Sequence, residues 1–332
     1  MATTVQDRRT PDTSGDRGGT ELVPVVRHLL EQVPVRAPSL IVTVWGDTIS
    51  AHDCPVWLGS LIRLLADFGL NERVVRTAVF RLQKDHWLQG RQSGRRSFYD
   101  LAPSGRRRSD AAHRAIYRAG RGAWDGCWLT LMASAAVTRQ AEQLKRDLAW
   151  MGFGSPAPGV FLHPDMQEQE VRALLHDQGV EDQVVVLRAQ ADERSDPAAL
   201  RHLVREAWDL TALEDGYNDF LRLFTPVITH IDSGAHLPDR DAFVVRTLLI
   251  HDFRRVTLRD PLLPEAVLER DWPGEAARQL SARLYRAVHA TATAHAMAIL
   301  ETADGGLPPP RGGYYDRYGG LDRGDAVRVT GD

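Results

Sequence analysis

Apolar residues recur every three or four positions in two neighbouring stretches between residues 53 and 88, a period that predicts two amphipathic helices. The first helix is predicted to bury one stripe, formed by Leu58, Leu61, Ile62, Leu65 and Phe68. Pro55 suits its first turn, where a missing N–H costs nothing, and Gly69 is expected to form a left-handed cap after its end. Asn71 is then predicted to cap the second helix with its side chain.

The second helix is predicted to have one apolar side and one basic side. Its apolar positions are Val74, Val75, Ala78, Val79 and Leu82. The positions assigned to the basic side are Arg73, Arg76, Thr77, Arg81 and Lys84. Because arginine binds phosphate and pairs with guanine in the major groove, this side is typical of a DNA recognition helix. A solvated charged face would give the same pattern.

A short basic hairpin is predicted directly after the second helix. The first strand begins near Leu88, Ser93 and Gly94 form the turn, and residues 97–101 return as the second strand. Three arginines lie at or near the tip, where they would contact phosphate or the minor groove: Arg91, Arg95 and Arg96. Two helices followed by a basic hairpin predict a winged helix-turn-helix, with double-stranded DNA as its partner.

Positive charge is concentrated in this region of a chain that is slightly acidic as a whole. The 332 residues carry 41 Lys and Arg against 44 Asp and Glu, which gives a formal net charge of −3. Residues 71–121 carry thirteen Lys and Arg and four Asp and Glu, a net charge of +9. A basic segment in a nearly neutral protein favours a local nucleic-acid footprint over a generally basic or membrane-binding protein.

The remaining patterns predict a multidomain α+β protein. Residues 1–37 are expected to be a disordered extension, and residues 38–108 the winged unit, which would begin with a helix at 40–50. The Val and Ile content of that segment would also suit a strand. Residues 109–195 are expected to hold a linker helix and a ferredoxin-like unit. Its predicted elements are strands at 127–133, 159–162 and 183–188 and helices at 138–150 and 168–176.

Helical spacing dominates the last third of the chain. Residues 196–303 are predicted to form a helical domain, and its helices are expected at 197–209, 212–231, 239–256 and 274–301. Residues 304–332 are rich in Gly and Pro and are expected to be a disordered tail.

The sequence shows no sign of export or membrane insertion. No apolar run approaches the length of a membrane span, and no N-terminal apolar segment resembles a secretory signal. Cys54 and Cys127 are far apart and form no metal-binding pair, so free thiols in a reducing compartment are expected. These features predict a cytoplasmic protein.

Long co-linear segments resemble one protein family, the PaaX transcriptional repressors of phenylacetic acid degradation. In the first unit these are SLIVTVWGD, WLGSLIRLLADFGLNERVVRTAVFRLQKDHWL and GRRSFYDL. In the middle they are WDGCWLTLM, LKRDLAWMGFG and PGVFLHP, and near the end LLIHDFRRVTLRDPLLPEAVL, DWPG and AARQLSARLYRAV. The resemblance covers residues 38–290 and is more specific than a generic helix-turn-helix.

The resemblance implies a cytoplasmic homodimeric repressor that binds operator DNA and releases it when phenylacetyl-CoA, an aryl-CoA effector, binds. It also implies that the middle unit is similar to the small ferredoxin-like nucleases of CRISPR adaptation. DNA contacts are carried over to Arg73, Arg76, Thr77 and Arg81, and wing contacts to Arg95 and Arg96. The N-terminal extension and the Gly-rich tail depart from other members.

Enzymatic alternatives have weak support in the sequence. A metal-dependent nucleic-acid enzyme built on the middle unit would need an acidic residue on its first strand, but WLTLMASAAV contains none. The twelve histidines form no metal-binding pair pattern, and no phosphate-binding loop is present. We therefore expect no catalytic residues, no metal and no cofactor, and keep control by a protein partner as a further alternative.

An effector site is predicted at the end of an apolar helix. A coenzyme A thioester needs arginines for its phosphates and an apolar cleft for its acyl group. The segment HDFRR supplies His251, Arg254 and Arg255 as candidates. The alternative is that these arginines form an ion pair with Asp252 or Asp260 or interact with the helix end.

Overall fold

The computed structural model of the chain describes residues 21–118, 120, 124–134, 142–192 and 194–323. Helices and antiparallel strands are both present in it, which confirms the mixed α and β class. The N-terminal region comprises α1 (Pro24–Gln32), α2 (Ala37–Asp47), β1 (Val56–Trp57), α3 (Leu58–Leu65), α4 (Glu72–Lys84), β2 (Leu88–Ser93), β3 (Arg96–Leu101) and α5 (Pro103–Ile116).

The two helices predicted from apolar spacing, α3 and α4, are both formed. A 3₁₀ turn extends α3 to Phe68, and Gly69 follows with a φ of +72°, as expected for a left-handed cap. The Asn71 side chain accepts a hydrogen bond from the Val74 N–H at 3.0 Å and caps α4. Two details were wrong: Val74 is 39% exposed, and Pro55 precedes β1, outside α3.

The hairpin of β2 and β3 follows α4 as predicted and pairs with β1 in a three-stranded antiparallel sheet of order β1-β3-β2. Ser93 pairs with Arg96, so the turn is formed by Gly94 and Arg95, one residue later than predicted. Gly94 has a φ of +59°, which suits a tight two-residue turn.

The middle region contains one sheet with its own two helices packed on one face and a C-terminal helix packed on the other. Its elements are β4 (Cys127–Ala133), α6 (Glu142–Trp150), β5 (Gly154–Ala157), β6 (Val160–His163), α7 (Glu168–Asp177) and β7 (Val184–Gln190). The strand order is β5-β6-β4-β7, and all neighbouring strands are antiparallel. Residues 138–141 of the predicted helix lie outside the described residues. Strand β5 was not predicted, because its sequence GSPA has no apolar alternation.

The C-terminal region is helical, and its helix bounds differ from the predicted ones by at most two residues. It comprises α8 (Pro197–Ala207), α9 (Leu210–Asp232), α10 (Asp239–Thr257) and α11 (Pro273–Ile299). Helix α10 is buried over most of its length because it packs between α11, α2 and α1.

The prediction of disorder across residues 1–37 is wrong for the part that the structure describes. Helix α1 buries Val26 and Leu29 against α9 and α10. The Val23 N–H also donates a hydrogen bond to the Asp241 carboxylate at 2.7 Å. A nine-residue helix that is unstable alone becomes ordered through these contacts. Residues 1–20 lie outside the described residues.

The prediction of a disordered tail is also wrong, up to residue 323. Strands β8 (Glu301–Thr302) and β9 (Gly305–Gly306) form a small hairpin, and two 3₁₀ turns follow. Tyr314, Arg317 and Tyr318 are buried against the helical region, which anchors a Gly-rich segment that lacks apolar periodicity. Residues 324–332 lie outside the described residues.

The N-terminal unit and the C-terminal helices share one hydrophobic core. This core includes buried residues of α1 to α4, of α9 to α11 and of the segment after β9. The middle region has its own core, which joins α6 and α7 to the sheet. The N-terminal unit is therefore packed directly on the C-terminal helices.

Candidate nucleic-acid interface

Helix α4 presents its basic side to solvent and buries its apolar side. Val75, Ala78, Val79 and Leu82 are buried, as predicted. The exposed residues are Arg73, Arg76, Thr77, Arg81 and Lys84, and we call this set the basic face. Arg76 forms an ion pair with Glu72 at 2.7 Å, and the Thr77 hydroxyl donates to the Arg73 carbonyl at 2.9 Å. Arginines in such exposed pairs can exchange to phosphate at little cost.

Phe80 lies on the same side of α4 and was not identified from the sequence. Its side chain is 69% exposed, although it is a large aromatic residue. A signal was available, because residues 73, 77, 80 and 84 follow a helical spacing that puts Phe80 between basic positions. The apolar positions predicted for α4 from the sequence did not include Phe80.

The hairpin arginines have different surroundings. Arg91 and Arg95 are exposed. Arg96 is exposed as well, but it also forms an ion pair with Glu301 of β8 at 3.0 Å, and its guanidinium lies 4.3 Å from the centre of the Trp57 ring. Glu301 also pairs with Arg63 of α3 at 2.6 Å. The C-terminal hairpin therefore holds an arginine that was predicted to contact DNA.

A buried ion network joins this unit to the C-terminal helices. Asp47, at the end of α2, lies 3.1 Å from both the Arg246 and the Arg317 guanidinium, and all three side chains are buried. The hydroxyls of Tyr117 and Tyr285 donate to the same carboxylate at 2.6 and 2.8 Å. Burial alone would raise the pKa of Asp47, but the two guanidinium groups outweigh it and hold the pKa below its usual value.

The three predicted effector residues do not converge on one site. His251 is buried, and its Nδ1 lies 2.9 Å from the Thr43 hydroxyl of α2. Arg254 donates to the Ser39 carbonyl at 3.0 Å and to the Ser39 hydroxyl at 2.6 Å. Arg255 points to a different cleft and pairs with Asp252 at 2.9 Å, the alternative considered from the sequence. His251 and Arg254 therefore connect α10 to α2.

A cleft of about 550 Å³ lies between the N-terminal unit, the C-terminal helices and the middle region, and we call it the interdomain cleft. Its walls come from α2, α5, α10 and the end of α6. The apolar lining includes Val42, Leu101, Ile116, Trp150, Ile250 and Leu258. Trp150 is 90% exposed and Leu258 46% exposed, so both present apolar surface to solvent. Three arginines, Arg107, Arg108 and Arg254, complete the lining.

Within the described residues, no group of three or more His, Cys, Asp or Glu side chains is arranged to hold a metal ion. In that same part of the chain, no helix is long and apolar enough to cross a membrane.

Comparisons with known proteins agree across the three regions. Family models match residues 36–105 as PaaX-like protein, residues 121–201 as the PaaX protein central Cas2-like domain, and residues 208–298 as the PaaX-like protein C-terminal domain. The chain is 41% identical over 298 residues to the transcriptional repressor PaaX of Escherichia coli (strain K12), covering 90% of this chain and 94% of that protein.

A solved structure is also similar, that of the uncharacterized protein Rv0674 from Mycobacterium tuberculosis. The TM-score is 0.50 at 27% sequence identity, and the match covers 77% of this chain and 98% of that one. With this identity to a full-length relative and family matches along the chain, the resemblance seen in the sequence is confirmed: the chain belongs to the PaaX family.

Proposed function

We propose that this chain is a DNA-binding transcriptional repressor of phenylacetate catabolic genes and has no catalytic activity of its own. The observation that carries the proposal is the exposed basic face of α4, held by a side-chain cap and followed by an arginine-bearing hairpin. A capped helix with outward arginines fits the major groove, and the hairpin beside it supplies phosphate contacts. The similarity to a protein named as a repressor supports the same conclusion.

The arrangement of elements supports two finer proposals about the fold. The order of α2, α3, α4, β2 and β3 is that of a winged helix-turn-helix, with the hairpin as the wing. The middle sheet has the order β5-β6-β4-β7 with α6 and α7 as connections, which is the arrangement of a ferredoxin-like unit. We propose this domain for the middle of the chain, and a cytoplasmic location for the whole.

We further propose that an aryl-CoA thioester, phenylacetyl-CoA, is the effector and that it binds in the interdomain cleft. The apolar walls suit an aromatic acyl group, and the exposed Arg107 and Arg108 suit phosphates. Two other clefts of similar size exist, but the interdomain cleft is lined by α2 and α5 of the DNA-binding unit. Of the three effector candidates, Arg254 alone lines it.

Release of DNA would follow from a shift between two arrangements of the chain. The effector must bind the arrangement that cannot engage DNA more tightly than the one that can. One winged unit covers only half of an operator, so we propose that a homodimer binds a palindromic site. Because the cleft is lined by α2 and α5 on one side and by α10 on the other, a bound ligand would contact both the proposed DNA-binding unit and the C-terminal helices.

The experiment is a gel shift on an operator that the full chain selects from a random DNA pool. The complex is titrated with phenylacetyl-CoA, free phenylacetate or CoA, and DNA length is monitored with and without magnesium. The proposal predicts release by the thioester alone and intact DNA throughout. Failure to select DNA would reject the repressor, cleavage would favour the nuclease alternative, and release by none of the three would favour control by a protein partner.

A further inference from the structure

Resting on the proposed DNA-binding function, we infer that Phe80 is a base-reading residue and that it recognises the 5-methyl group of a thymine in the major groove. The Phe80 side chain carries no charge and accepts no hydrogen bond, yet it lies among the exposed residues of the basic face.

The position of Phe80 on α4 supports this role. With about 3.6 residues per turn, Arg73 lies two turns before Phe80 on the same side of the helix, roughly 10 Å away along the axis. Thr77 and Lys84 lie one turn before and one turn after it. If Arg73 and Lys84 contact DNA while α4 lies in the major groove, the Phe80 ring lies between these two contacts.

A partner that covers the exposed Phe80 ring must also suit the side chains beside it. The ring is 69% exposed, and the adjacent Arg73, Thr77 and Lys84 side chains are exposed as well. An apolar protein surface placed on the ring would also cover these cations and strip their water without offering an opposite charge. DNA offers phosphates to the cations and a methyl group to the ring at the same time.

The chemistry of the contact defines what it can discriminate. Thymine is the base that presents a methyl group in the major groove, and apolar side chains including phenylalanine contact it there. Deoxyuridine differs from thymidine only by that methyl group. Replacing one with the other removes the proposed contact and leaves every hydrogen-bonding group of the base pair in place.

The test is a thymine-to-deoxyuridine scan of the selected operator, with affinity measured for the full chain. Burial of one methyl group corresponds to a loss of roughly three- to fivefold in affinity when it is removed. The wild-type chain is expected to show this loss at a single position in each half-site. Phe80→Ala is expected to bind the thymine operator more weakly and to be insensitive to deoxyuridine at that position.

Two further variants serve as controls. Phe80→Leu keeps an apolar side chain and should keep part of the sensitivity, whereas Val185→Ala, at another exposed apolar position, should behave as the wild type. If the wild type selects no DNA, the proposed function fails and this inference fails with it. If it binds but the scan shows no sensitive position, or Phe80→Ala keeps the sensitivity, the inference alone is overturned. A Phe80→Ala chain that becomes monomeric would assign the ring to a dimer interface instead.

Discussion

Asp47 and Arg246 form a buried ion pair, with 3.1 Å between Oδ2 and Nε, across a sequence separation of 199 residues. Asp47 ends α2 of the N-terminal unit, and Arg246 lies in the middle of α10. Arg317, from the segment after β9, lies 3.1 Å from the same carboxylate, so two buried guanidinium groups share one anionic partner. The N-terminal unit is thus joined to the C-terminal helices by charge as well as by apolar packing.

The first prediction concerns this network. Asp47→Asn removes the carboxylate that pairs with both Arg246 and Arg317 and leaves these two guanidinium groups buried without it. The free energy of unfolding should therefore fall by about 3–5 kcal/mol. The measurement is urea unfolding of the full chain. Asp219→Asn breaks an exposed pair with Arg222 and should cost less than about 1 kcal/mol. Equal losses in the two variants would contradict the role given to Asp47.

The second prediction concerns the cap of α4. Asn71→Ala removes the side-chain acceptor of the Val74 N–H and should lower stability by about 1 kcal/mol, with a matching loss of DNA affinity as the first turn frays. Asn71→Ser keeps a capping oxygen and should retain most of the stability and most of the DNA affinity. The prediction is wrong if alanine and serine behave alike in thermal melts and in binding.

Helices α3 and α4 and the hairpin could be predicted because the residues that define them lie close together in the sequence. Apolar spacing, Gly69 and Asn71 act within a few residues of each other, and each was assigned from the sequence. Helix α1 and the segment after β9 were missed because their order depends on contacts with distant residues. The Asp47 network has the same origin, since nothing in the sequence pairs it with Arg246 or Arg317.

The candidate sites show the same division. The basic face of α4 could be read from the sequence because charge alternates with the buried stripe along one helix. The interdomain cleft could not, because its walls come from four helices and its shape is set by their packing. His251 had the residue type of a ligand-binding group, yet its burial beside Thr43 makes it part of the contact between α10 and α2.

The third prediction is a pH dependence of stability that arises partly at His251. Burial, with a further contribution from the Arg254 guanidinium, lowers the pKa of His251 from 6.5 to about 4. The folded state therefore favours the neutral ring, while the unfolded state gains a proton first as pH falls. The stabilisation is fully present above about pH 6.5 and is lost progressively toward pH 4.

His251→Asn should flatten this dependence, because one proton fewer is taken up on unfolding. Urea unfolding at several pH values between 7.5 and 4.5 measures the slope. The exposed His236→Asn is the matched control and should keep the wild-type slope. A wild-type slope in the His251 variant would show that this ring does not contribute.

The fourth prediction concerns the ion pair between the C-terminal hairpin and Arg96 of β3. Glu301→Ala removes the partner of Arg96 and of Arg63, so both guanidinium groups become available to phosphate. Affinity for DNA should rise, and the slope of log affinity against log salt should steepen by about 1 for each new phosphate contact. Asp304→Ala removes one exposed negative charge from the same hairpin and should leave the affinity and the salt slope unchanged. A Glu301 variant with the wild-type slope would show that the pair does not restrain Arg96.

The proposal that α4 is the recognition helix is tested most directly by the affinity of the selected operator for the full chain and for Arg73→Ala. Affinity is measured by fluorescence anisotropy at several salt concentrations. Affinity should fall by about five- to 150-fold in the variant, the equivalent of about 1–3 kcal/mol for one base-reading arginine. Arg222→Ala, on the exposed side of α9, should bind as the wild type does. Wild-type affinity and salt dependence in Arg73→Ala would contradict the assignment of α4 as the recognition helix.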